Sequence, residues 1–156
     1  MINIALQKIT THDLEFLFKV YASTRIDELI QTGWSLERQE EFLRMQFSAQ
    51  HEHYQKFYPE ASYNLILLDD QVVGRLYISR WTEEIRIVDI ALLSEFRGKK
   101  IGTLLMQDLF AEAKKKKLEV SIHVEKNNPA LKWYQSLGFK EIEDKGVYSL
   151  MQTNFY

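Results

Sequence analysis

A chain of 156 residues is the length of a single domain, 1–156, enough to bury one core and too little for two of ordinary size. Its 46% hydrophobic and 27% charged residues read as a soluble globular protein: no apolar run is long enough to cross a bilayer, and the first residues lack a secretion-signal pattern, so a cytoplasmic protein with no membrane partner is expected. A net charge of −2 with both signs interspersed argues against nucleic acid as a partner, and the absence of cysteine removes disulfides, thiolate metal sites and cysteine-bound covalent intermediates.

In chain order, Ile2 to Ile9 read as a strand, and Thr10-Thr11-His12-Asp13 supply capping side chains for a helix carrying Leu14, Leu17, Phe18 and Tyr21. A second helix is predicted after Ser35, with Glu37 and Glu40 in its first turns and a stripe of Leu43, Phe47, Gln50, Tyr54 and Tyr58, running towards Pro59. His51 and His53, two apart on that helix, point to different sides, so no metal site is expected. The pattern then turns extended: Tyr63 to Leu68, a turn at Asp69-Asp70-Gln71, Val72 to Ile78, and Ile85 to Leu93, an antiparallel meander.

The run Ser94-Glu95-Phe96-Arg97-Gly98-Lys99-Lys100-Ile101-Gly102-Thr103-Leu104-Leu105 is a basic, glycine-bearing turn opening a helix on which Ile101, Leu104, Leu105, Leu109 and Ala113 recur. Free backbone N–H groups and the positive end of the helix dipole make such a start an anion cradle, although a plain solvated connection has the same composition. The helix extends to about Lys116 and ends in the basic run Lys114 to Lys117, a solvated helix end. Leu118, Val120, Ile122 and Val124 alternate with Glu119, Ser121, His123 and Glu125 as a half-buried strand, which should lie parallel to the strand before the turn through a right-handed crossover. Asn128 as cap and Pro129 as first residue start a last helix that ends at Gly138, and Phe139 to Glu143 with Val147 to Met151 close a hairpin around Gly146. The predicted class is α/β (α+β in some schemes), a mixed, mostly antiparallel sheet flanked by helices, in the order β-α-α-β-β-β-α-β-α-β-β.

A second motif, Asn127-Asn128-Pro129-Ala130-Leu131-Lys132-Trp133-Tyr134-Gln135-Ser136-Leu137-Gly138-Phe139, puts the small Ala130 one turn before Tyr134, leaving room for a ligand beside the hydroxyl of what is otherwise a core aromatic. The two motifs together resemble the GNAT superfamily of N-acetyltransferases. Arg97-Gly98-Lys99-Lys100-Ile101-Gly102 approaches that family's Arg/Gln-x-x-Gly-x-Gly/Ala signature, with Lys100 in place of the first glycine. Asn127, Ala130, Tyr134, Gly138 and Phe139 match its second signature. Lys100 keeps the N–H but adds bulk, and helical backbone angles there would point its side chain away.

The resemblance implies acetyl-coenzyme A as co-substrate and no metal. It assigns the pyrophosphate to the backbone of Arg97, Gly98, Lys99, Lys100, Ile101, Gly102 and Thr103, and the pantetheine arm to Ile90, Ala91 and Leu92, with the Ile90 N–H facing the thioester oxygen. Asn127 and Ala130 would order that end of the site, and Tyr134 would be the general acid, since a phenol ordinarily stays protonated at neutral pH. Asp89 and Glu84 are candidate bases on the same strand, and Asp89 is equally a partner for Arg75 or Arg86. Gln50, Tyr54, His123 and Tyr148 are candidates for acceptor contacts. The expected reaction is direct attack by a small-molecule or peptide amine in a ternary complex. A non-catalytic coenzyme A sensor of the same fold is the alternative, and the family also allows a homodimer through the last strands.

Overall fold

The computed structural model describes residues 2–153. Its elements are β1 (Ile4–Lys8), α1 (Leu14–Ser23), α2 (Ile26–Ile30), α3 (Leu36–Phe57), β2 (Ser62–Leu68), β3 (Gln71–Arg80), β4 (Glu84–Leu92), α4 (Ile101–Lys116), β5 (Glu119–Glu125), α5 (Leu131–Ser136), β6 (Lys140–Lys145) and β7 (Tyr148–Thr153). The seven strands follow the order β1-β2-β3-β4-β5-β7-β6 in a mostly antiparallel sheet. The parallel pair is β4 with β5, as the crossover rule requires. Short 3₁₀ turns at Thr11–Asp13 and Ser94–Phe96 and the five-residue α2 add to the predicted order. No helix among the described residues is long and apolar enough to cross a membrane.

Two compact units share the strands β3 and β4. The first holds the chain up to Tyr77 together with Asp89–Lys99. The 3₁₀ turn leading into α1 and the start of α3 carry the caps that the sequence places there, whereas α1 and α2 have no side-chain cap of their own. The Thr10 hydroxyl accepts from the His12 N–H and Asp13 accepts from the Thr10 N–H at 2.7 Å, while Ser35 accepts from the Arg38 N–H. Leu17, Phe18, Val20 and Tyr21 of α1 are buried with Leu43 and Phe47 of α3, and the Phe18 and Phe47 rings meet edge to face at 5.8 Å. The end of α3 is tied down by the Tyr63 hydroxyl, which lies 2.8 and 2.7 Å from the Tyr54 and Tyr58 carbonyls. Burial there pushes the Tyr63 phenol up to about 12. Asp69 and Asp70 both adopt positive φ, as a two-residue hairpin turn between β2 and β3 demands.

Gly74 of β3 has no room for a side chain. A Cβ there would stand 2.3 Å from the Ala91 carbonyl oxygen and 2.8 Å from Leu92 Cδ2. Because the first obstacle is backbone of β4, Gly74→Ala should destabilise the protein by about 3 kcal/mol, read as a drop in the urea midpoint. An unchanged midpoint would mean that β4 gives way freely at Ala91.

The second unit comprises Ile78–Val88 and the chain from Lys100 onward. Ile85 and Ile87 of β4, Val120, Ile122 and Val124 of β5, and Ile101, Leu105, Met106, Leu109 and Ala113 of α4 form its buried apolar set. The alternation read along β5 holds, with Val120, Ile122 and Val124 buried and His123 exposed, except at Ser121, which is fully buried in a polar network. The last helix also starts later than Asn128-Pro129: Ala130 is the N-cap, and Asn128 caps the preceding turn by accepting from the Ala130 N–H at 2.8 Å. Gly138, at φ +103, terminates α5 as expected. Every residue of the edge strand β6 is exposed and five of its six are charged, with a register shift between Glu141 and Glu143.

Candidate active site

The basic turn ends in a conformation that its sequence does not advertise. Gly98 and Lys100 both have positive φ, +74 and +64, and Lys100, in the left-handed region, is the N-cap of α4. The helical angles that would point the Lys100 side chain away are therefore not adopted: the position calls for glycine on backbone grounds and carries a side chain. No side chain caps α4, and the Leu104 N–H is the one that reaches back to the Lys100 carbonyl, at 3.0 Å. The N–H groups of Ile101, Gly102 and Thr103 are thus the unsatisfied donors of a sixteen-residue helix. A Cβ on Gly98 would meet nothing within 4 Å, so the turn is open on that side. Lys100→Gly should remove the left-handed strain and raise stability by about 1 kcal/mol after the entropy cost of glycine, measured as an increased denaturation midpoint. A lowered midpoint would show that the lysine side chain compensates for its backbone.

The arginine of the turn does not add its charge freely. Arg97 Nε donates to the Leu92 carbonyl at 3.0 Å and its Nη2 lies 3.4 Å from Ser23 Oγ, folding the guanidinium back onto the first unit. Lys99 Nζ stands 5.6 Å from the Phe96 ring centroid.

Strand β4 changes character along its length. It is buried from Ile85 to Ile87 and half-buried from Val88 through Ile90, Ala91 and Leu92. The ladder to β5 runs from Glu84↔Glu119 to Ile87↔Ile122 and stops there among the described residues. An extended strand released from its neighbour retains main-chain groups able to bind an extended ligand as an added strand.

In the first unit the acceptor and base candidates Gln50, Tyr54 and Asp89 come together around Arg75, which is 3% exposed. Arg75 Nη2 donates to Asp89 Oδ2 at 2.6 Å and to Gln50 Oε1 at 2.9 Å, and the Tyr54 hydroxyl donates to the same Asp89 oxygen at 3.0 Å. Of the two arginines considered as partners for Asp89, the structure selects Arg75. Burial opposes its charge, but Asp89, Tyr77 and Tyr54 outweigh that and hold the guanidinium above its usual range. His51, stacked on Phe47, is lowered below the usual imidazole range by burial and by the Arg75 charge.

In the second unit Glu84 accepts from the Ser121 hydroxyl and lies 3.7 Å from Arg86 Nη2. Arg86 Nε donates to Ser121 Oγ at 2.7 Å and its Nη1 is 3.3 Å from His123 Nδ1. Burial, then Arg86 and Lys145, lower the His123 imidazole. Tyr148 is exposed, its hydroxyl 3.4 Å from Glu125. Asn127 is exposed in the turn before α5. Tyr134 is buried, with its ring against Phe139 at 5.9 Å and Trp133 at 5.0 Å.

A family model for the acetyltransferase (GNAT) family matches residues 24–139, well over half of the sequence. This chain belongs to the GNAT acetyltransferase family. Solved GNAT structures share its fold. The PaiA N-acetyltransferase from Thermoplasma acidophilum, in complex with coenzyme A, aligns over 98% of this chain and 99% of its own at 21% identity and TM-score 0.72. The ribosomal-protein-S18-alanine N-acetyltransferase from Escherichia coli aligns over 97% and 94% at 16% identity and TM-score 0.63. The Campylobacter jejuni N-acetyltransferase PseH, in complex with acetyl coenzyme A, aligns over 99% and 100% at 19% identity and TM-score 0.62. No curated protein matches the sequence. Within this GNAT chain the sequence motifs locate the turn, β4 and Tyr134. Gly74, Trp133 and the burial of Arg75 carry no local signal, because each is defined by what packs on it from a distant part of the chain.

Proposed function

We propose that this GNAT protein transfers the acetyl group of acetyl-coenzyme A to a primary amine of a small molecule or peptide, by direct attack within a ternary complex. The observation that carries this reading is the uncapped start of α4 behind the left-handed turn at Gly98 and Lys100, in a chain of this family. The N–H groups from Gly98 to Thr103 fit a pyrophosphate by donor type and dipole sign, while that of Arg97 is held by the Ser94 carbonyl at 3.2 Å. The half-buried stretch Ile90, Ala91 and Leu92 supports an added pantetheine arm, with the Ile90 N–H stabilising the oxyanion.

The amine nitrogen, having lost its proton, forms a bond to the thioester carbonyl carbon. The carbon–sulfur bond breaks, the departing thiolate takes a proton from the Tyr134 hydroxyl, and the second proton shed by the acetylated nitrogen returns through solvent to the phenolate, with Asn127 and Ala130 ordering that end of the site. Asp89 and Glu84 are the candidate bases, and Gln50, Tyr54, His123 and Tyr148 the candidate acceptor contacts. That the structural neighbours PaiA, the ribosomal-protein-S18-alanine enzyme and PseH are N-acetyltransferases supports an amine acceptor.

The test is thiol release from acetyl-coenzyme A in the presence of polyamines, amino acids, aminoglycosides and peptides in turn. Release with at least one acceptor, accompanied by its acetylated product, is the expected result. Tight coenzyme A binding without release for any of them would replace this reading with that of a sensor.

A further inference from the structure

Gly102 poses a question that the phosphate-cradle reading leaves open. It lies within the first turn of α4 and, unlike Gly98, Gly33, Gly138 and Gly146, has no positive φ. Its backbone therefore does not require glycine, and in a helix glycine is less stable than alanine by roughly 1 kcal/mol. What a side chain there would crowd is Trp133. Its ring carbons Cη2 and Cζ2 stand 3.2 and 3.3 Å from the place a Cβ would take.

The indole thus lies directly on the turn whose Ile101, Gly102 and Thr103 N–H groups are unsatisfied. A half-buried apolar plane on that flank does two things. It keeps water off one side of the donors, so that their attraction to an anion is less screened. It also fixes the turn by packing instead of by a cap, which α4 does not have.

We propose that Trp133 is a positioning residue for the pyrophosphate of coenzyme A, holding and desolvating the first turn of α4 through its contact with Gly102. The proposal rests on the acetyl-coenzyme A reading and adds to it a residue that lies within the second motif but is not one of its matched positions. The match of glycine to indole also makes the pair interdependent: a side chain at 102 and the ring at 133 compete for one space.

The experiment compares the parent protein with Trp133→Leu and Trp133→Phe in steady-state kinetics, with coenzyme A binding followed by calorimetry and tryptophan fluorescence. Trp133→Leu should raise KM for acetyl-coenzyme A about tenfold with kcat changed less than twofold, and Trp133→Phe should recover most of the loss. The parent-minus-Trp133→Phe difference spectrum should shift as coenzyme A saturates and stay still with pantetheine, which lacks the pyrophosphate. KM within twofold of the parent in Trp133→Leu, or a silent difference spectrum while calorimetry records coenzyme A binding to the parent, would overturn the role of Trp133 alone. A parent that binds no coenzyme A by calorimetry would overturn the cofactor reading and this inference with it.

Discussion

Tyr134→Phe should lower kcat for acetyl transfer by a hundredfold or more while KM for acetyl-coenzyme A stays within about twofold. General acid assistance is worth about 10²–10⁴-fold, and the substitution removes only the group that would supply it. The ring is 5% exposed and packs on Phe139 and Trp133, contacts that phenylalanine keeps, so the fold and the α5 geometry should persist. A loss confined to kcat would separate proton donation from cofactor binding. Should the variant retain wild-type kcat at saturating substrate, water must protonate the thiolate and Tyr134 is a packing residue.

The second large effect concerns stability. Arg75→Met should cost about 3 kcal/mol, because it leaves Asp89 and Gln50 without the donor they share in a nearly closed environment. Asp89→Leu should cost a similar amount for the opposite reason, a stranded guanidinium. The double variant should be much less destabilised than the sum, since replacing both members of a buried ion pair by apolar groups is often close to neutral. Urea midpoints of the three variants measure this. Simple additivity would mean that the pair is not coupled and that Tyr54 alone satisfies the carboxylate.

That pair also shows where sequence reasoning stops. Apolar spacing marks α3 and α4 because each repeats its pattern over several turns, and Ser35, Thr10 and Asp13 announce helix starts through local chemistry. The two motifs locate the turn and Tyr134 for the same reason. Helix α2 spans only Ile26–Ile30, too short for periodicity to register. Choosing Arg75 over Arg86 as partner to Asp89 depends on which strands meet and which face each presents. Ser121 looks solvent-facing in an alternating strand and is buried because Arg86 and Glu84 bond to it. Lys100 misleads most directly, since lysine carries no turn preference and the left-handed angle is imposed by the surrounding chain.

Lysine occupies the left-handed position at both ends of α4, Lys100 at its start and Lys117 at its finish. Each such residue holds on the order of 1–2 kcal/mol that fraying would release, so the helix is loaded to open at its tips. An anion seated on the first turn would oppose that release at one end. Amide hydrogen exchange in the opening turn of α4 should therefore slow when coenzyme A is added, while the Lys117 end keeps its own rate. The tip that would grip the cofactor would then be tightened by it, while the far tip of the same helix keeps its own opening.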